Sequence, residues 1–156
     1  MSVSGYSTLV RNLRGLAQFS AIVTALAGVL VLAGWALEVP QLKGLFDPSH
    51  PLNPITGAAF IVAGVTLWLQ RREVGGLAQT FAHALAILVT LVGGICTIEA
   101  IFDLKPLLDG MIFPEKLASL SGLVSLRVEQ NAAGNLFLVG LALRCLDWET
   151  DRKSVV

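Results

Sequence analysis

Two stretches of the chain are free of charge for the length of a membrane crossing. No residue from Leu16 to Leu37 is charged, and from Leu77 to Ile98 the one ionisable side chain apart from a terminal thiol is His83. A spanning helix needs about 20 mostly apolar residues, so both stretches predict one. Ile55 to Leu69 and Ala132 to Leu143 are apolar but shorter. As spans they would borrow flanking polar residues, thin the bilayer locally or lean on the longer helices. The pattern predicts four spans. The first is longer than the apolar core of a signal peptide and is followed by no clean small-x-small site, so it is expected to stay in the mature protein.

The segments between these spans differ. Val39 to Asn53 carries Pro40, Pro48 and Pro51 and runs into Pro54, which predicts a turn with a brief helical piece at Gln41 to Phe46. Glu99 to Gln130 is longer. Pro114 opens a stretch through Leu123, and Leu117, Leu120, Leu123 and Val124 recur at helical spacing. This predicts a short amphipathic outer helix lying on the bilayer or over the bundle.

An internal repeat organises the chain. Gly15-Leu16-Ala17-Gln18 recurs as Gly76-Leu77-Ala78-Gln79, and the same shift of 61 pairs Ala21 with Ala82, Ala25 with Ala86 and Glu38 with Glu99. Phe60 to Leu67 resembles Leu136 to Leu143, with Gly64 opposite Gly140. Each unit is a long helix, an outer segment and a short returning helix, with repeat 1 over residues 15–72, repeat 2 over 76–148 and a tail at 149–156. Two spans per unit make the repeats parallel, unlike the inverted repeats of many transporters. The expected architecture is an all-α integral membrane protein: one domain, a four-transmembrane-helix bundle of two parallel helix-hairpin repeats.

Composition agrees with this. The 156 residues are 54% hydrophobic and 14% charged, with a mean hydropathy of +0.73. Globular domains carry about 25% charged residues, so a soluble monomer and intrinsic disorder are both disfavoured. Zero net charge leaves no nucleic-acid footprint. Arg11, Arg14, Arg71, Arg72, Arg144, Arg152 and Lys153 fall on the side of the termini, against Lys43, Lys105, Lys116 and Arg127 on the other. That bias predicts both termini in the cytoplasm, in a bacterial inner membrane.

The returning helices carry a resemblance. Asn131-Ala132-Ala133-Gly134-Asn135-Leu136-Phe137-Leu138-Val139-Gly140-Leu141-Ala142-Leu143, followed by Leu146-Asp147-Trp148-Glu149-Thr150, resembles a pattern in the multi-span N-terminal regions of bacterial sensor histidine kinases and related signalling proteins. Pro54 to Phe60, ending at Gly64, resembles it again. Ile55 and Gly57 depart from the favoured residues, and Asp151 interrupts the usual basic exit. The resemblance implies a membrane sensory input module for signal transduction. Within these residues there is no phosphorylatable-histidine helix, nucleotide-binding domain or cyclase domain. The reading preferred is therefore a non-catalytic accessory or structural subunit of a larger respiratory or photosynthetic membrane complex. Its partners would be the bilayer and other membrane subunits or further copies of itself.

Few residues carry chemistry. Gln79, His83, Ala86, Thr90, Gly93 and Thr97 follow a 4-3 spacing that places them on one helix face. Such a polar and small-residue stripe in lipid usually faces other helices, joined by hydrogen bonds. The functional alternative makes His83 a cofactor-binding residue, an axial ligand to haem or a chlorophyll-type pigment. No second histidine lies at matching depth, so packing is the expectation. No cofactor is required by the sequence. Glu38 and Glu99 are expected as equivalent solvated helix-end residues, and Trp35, Trp68 and Trp148 as interfacial anchors. His50 has no partner set for zinc. Cys96 and Cys145 are expected to be buried and too far apart to bond. Gly28, Gly34, Gly64, Gly93, Gly94 and Gly140 are expected to let helices approach closely. No catalytic triad, phosphate loop or metal cluster appears.

Overall fold

The computed structural model describes residues 3–45, 51–70, 77–104, 107–108, 111–115 and 130–154. Every regular element among them is helical. Helix α1 runs Val3–Leu37, α2 Pro40–Lys43, α3 Pro54–Leu69, α4 Leu77–Ile101 and α5 Gln130–Ser154. The predicted outer helix after Pro114 lies, beyond Glu115, outside the described residues, as does His50.

Local chemistry sets these boundaries. Proline is tolerated at a helix's first position, where its missing N–H would be unpaired anyway. Pro40 and Pro54 each open a helix in this way. The residue before a proline is pushed into extended backbone, and Asn53 sits there at φ −61° and ψ 136°. Its side-chain oxygen accepts a hydrogen bond from the Ile55 N–H at 2.9 Å. Asn53 is buried, so this cap is shielded from water. Asn53→Ala is expected to destabilise the protein by about 1 kcal/mol, read as an earlier midpoint in denaturant titration of the detergent-solubilised chain.

The long helices stop by one shared device. The Val39 N–H donates to the Gly34 carbonyl at 3.0 Å, and the Leu104 N–H to the Glu99 carbonyl at 3.1 Å. These are the six-to-one bonds of a Schellman ending, which requires a left-handed residue just before the donor. Glu38 takes that place in α1 at φ 60°, and Asp103 in α4 at φ 51°. Asp103 is therefore the counterpart of Glu38, and the expected pairing of Glu38 with Glu99 is corrected.

That correction moves the register of the hairpins. A Cβ on Gly64 would lie 2.9 Å from Ala25 Cβ, and one on Gly140 would lie 2.7 Å from Thr90 Cα. Gly28 meets Ile61, and Gly93 meets Phe137. Ala25 to Thr90 and Gly28 to Gly93 are each a step of 65, whereas Gly64 to Gly140 and Ile61 to Phe137 remain steps of 76. The buried positions Ala21, Gly28, Val31 and Gly34 of α1 step by the same 65 to Ala86, Gly93, Cys96 and Glu99 of α4. The sequence match at 61 is displaced by four residues, roughly one turn and 40°.

Helices α1 and α3 pack as one hairpin and α4 and α5 as another. Helix α3 joins them, meeting α4 and, more lightly, α5. Helix α1 packs on α2 and α3, so among the described helices its far side has no substantial neighbour. There Leu16, Phe19, Leu26 and Val29 are exposed. Two helices, through Gly15–Leu37 and Leu77–Ile101, are long and apolar enough to cross a membrane. Helix α3 has 16 residues. Helix α5 outruns the predicted fourth span, since its last turns are polar and continue past Arg144.

Candidate functional site

The end of the fold where α1 turns into α2 is a built cluster. Trp35 is fully buried beside Val31, with Leu45, Leu52 and Phe113 packed around the pair. The indole Nε1–H donates to the Leu52 carbonyl at 2.9 Å. The Lys43 ammonium lies 4.8 Å from the ring centroid, a cation–π distance. Gly34 makes the arrangement possible: a Cβ there would lie 2.6 Å from the Lys43 backbone nitrogen in α2. Trp35 is thus a core residue, and its expected place in an interfacial belt is corrected. An aromatic near a span end looks the same in sequence whether it meets lipid or a folded-back segment. Trp68 is partly exposed, as an anchor would be.

The second hairpin has its own outer contact. Glu99 is buried, and its Oε1 accepts a hydrogen bond from the Leu107 N–H at 2.8 Å. The expectation of a solvated helix end fails because the outer segment folds back over this carboxylate. Leu108 then packs on Cys96 and Ala133. Glu99→Ala would remove the acceptor of the Leu107 N–H, whose residue is exposed, a loss of about 1 kcal/mol. Faster amide exchange at Leu107 and Leu108, with α4 itself still protected, is the expected result.

The stripe on α4 divides. Ala86 and Gly93 are buried, while Gln79, His83, Thr90 and Thr97 are half-buried. Thr90 Oγ1 donates to the Ala86 carbonyl at 2.8 Å, and Thr97 Oγ1 to the Gly93 carbonyl at 2.6 Å. These hydroxyls serve their own helix, a correction to the expected bonds between helices. A side chain that bonds back one turn needs no neighbour. A polar bond between the hairpins comes from a residue outside the stripe: Gln70 Nε2 donates to the Leu143 carbonyl at 2.9 Å. Its position just after an apolar run was the available signal.

His83 interacts with its surroundings, while its Nε2 atom is buried without a hydrogen bond. Gln70 Oε1 is in the same condition. Among the described residues no group of three or more His, Cys, Asp or Glu side chains could hold a metal ion. For His83 as a packing residue, His83→Gln is expected to leave the absorption spectrum of the purified protein unchanged. Loss of a Soret or pigment band would mark a ligand instead.

The glycines sort by contact. Gly28, Gly64, Gly93 and Gly140 lie at helix crossings where a Cβ would collide with the facing backbone, and Gly94 only touches the Phe137 ring at 3.4 Å. Cys96 is buried; Cys145 is exposed, which corrects its expected burial. Comparison with models of known protein families, with curated proteins and with solved structures finds no match for this chain.

Proposed function

We propose that the protein is a small non-catalytic accessory subunit of a larger assembly in the bacterial inner membrane. In this reading α1, α3, α4 and α5 all cross the bilayer as two parallel hairpin repeats, with both termini cytoplasmic. The short α3 and the apolar part of α5 rely on the longer helices beside them.

The supporting observation is the outer face of the α1–α3 hairpin. Where the two helices cross, Ala21, Ala25 and Gly64 form the floor of a shallow groove walled by Ile22, Leu26, Val65 and Trp68. Small residues that let another backbone approach are how helices associate in lipid, where no hydrophobic drive separates helix from acyl chain. Helix α1 presents this face with α2 and α3 as its only substantial neighbours among the described helices. A groove of this kind suits a transmembrane helix of another subunit.

Purification of the full chain in mild detergent tests this. The expected result is a complex with a second membrane protein at fixed stoichiometry. Val65→Trp, which fills the groove from an exposed position, should release the chain from it with helicity unchanged. A wild-type chain that runs as a monomer, or a folded Val65→Trp variant that still comigrates, would overturn the reading. In the Cys145→Ser background, cysteines at Asn12 and Glu115 should label from opposite sides of the membrane.

A further inference from the structure

Between the two hairpins lies a cavity of about 200 Å³. Ile55, Ala59 and Val62 of α3 face Val89 and Val92 of α4 across it, and Leu108 of the outer segment roofs it. Every side chain that lines it is aliphatic or, at Met111, a thioether. With no side-chain donor or acceptor, a water molecule or polar headgroup inside would forfeit its hydrogen bonds. Apolar cavities of about 150 Å³ with such walls stay dry and take up hydrocarbon.

The cavity is open at one side. Leu88 is 47% exposed and Met111 74% exposed at its mouth. Leu88 lies eleven residues into α4, roughly 16 Å from its start, midway along a helix long enough to cross a membrane. At that depth the surrounding medium is acyl chain. The space is too small for another helix, whose diameter with side chains is about 10 Å. The adjacent alanines 58 and 59 leave a narrow slot, and a flexible methionine can adapt over its entrance.

We propose that this seam binds one acyl chain of a bilayer phospholipid, inserted sideways between α3 and α4 beneath Met111. The bound chain fills the seam between the hairpins, beside the contacts α3 makes with α4 and α5 and the packing of Phe113 on Trp35. This rests on the membrane reading above, and the two can fail separately.

The test reconstitutes the full chain into phosphatidylcholine vesicles doped with a phosphatidylcholine bearing a diazirine in one acyl chain. After photolysis, adducts are mapped by peptide mass spectrometry. Labelling is expected to concentrate on Ala58, Leu88 and Met111, above the level at Leu91 and Ile98, which are exposed on the same α4. Ala58→Phe should abolish that excess and leave Leu91 labelled. Leu88→Trp should do the same from the mouth, should the first variant not fold. Equal labelling of Leu88 and Leu91 in the wild type overturns the proposal, as does an excess that survives in a folded variant. A chain that fails to enter the vesicles overturns the membrane reading with it.

Discussion

Gly93→Leu is expected to disrupt the α4–α5 hairpin and to be among the most damaging single substitutions in the protein. A Cβ at this position would overlap the Phe137 backbone nitrogen and lie 2.8 Å from the Leu136 carbonyl carbon. Backbone cannot rotate aside as a side-chain tip can, so the helices would have to separate. Overpacking a well-fitted interior costs about 1–3 kcal/mol and sometimes more. Separation would also strip the contacts of Ala133 and Cys96, which lie one turn away. A loss of about 3 kcal/mol or more is expected, outweighing the helix-propensity gain of up to about 1 kcal/mol from removing glycine. Gly140→Leu should act alike, since its Cβ would lie 2.6 Å from the Thr90 nitrogen. Gly134 is the control. A Cβ there meets nothing within 4 Å, so Gly134→Ala should be neutral or stabilising by about 0.5–1 kcal/mol. Unfolding in mixed micelles, followed by circular dichroism, measures all three. Equal behaviour of Gly93 and Gly134 variants would refute the crossing geometry.

Trp35→Ala is expected to rank next. The ring is fully buried, and truncating a buried tryptophan costs about 3–5 kcal/mol. Three contacts vanish together: the core with Val31, Leu45, Leu52 and Phe113, the hydrogen bond to Leu52, and the seat of the Lys43 ammonium. Because Phe113 belongs to the second outer segment, the loss should spread beyond the first hairpin. Trp35→Phe separates the terms. It keeps the apolar packing and a weaker cation–π face but leaves the Leu52 carbonyl without its donor, a cost of about 1 kcal/mol. Denaturation midpoints in the order wild type, Phe, Ala are expected. A Trp35→Ala variant as stable as wild type would place this ring at the lipid interface after all.

Much of the fold was legible in the amino-acid order because solvent preference is written residue by residue. Charge-free runs locate α1 and α4, and apolar periodicity with a proline at the start locates α3. Gly28, Gly64, Gly93 and Gly140 were legible as packing positions, since few other reasons keep glycine inside an apolar helix. The small-residue alphabet of those helices also hid the register. A displacement of four residues keeps alanines and leucines on nearly the same face, so Ala21 and Ala25 matched Ala82 and Ala86 as well as any alternative. Only the helix ends resolve it: the left-handed residue at each Schellman bond is Glu38 in one hairpin and Asp103 in the other.

The same division explains Glu99 and Trp35. Both lie near the end of an apolar run, where sequence equates position with exposure. Their burial depends on chain that folds back from elsewhere, Leu52 and Phe113 over the indole and Leu107 over the carboxylate. The hydroxyls of Thr90 and Thr97 turned to their own helix, where the carbonyl one turn back is always within reach. The amino-acid order determined which segments are helical and which of their faces shun water, because those depend on local chain chemistry. The tertiary structure decided register, the buried outer ends and the seam between hairpins, because each is a contact between segments far apart in the chain.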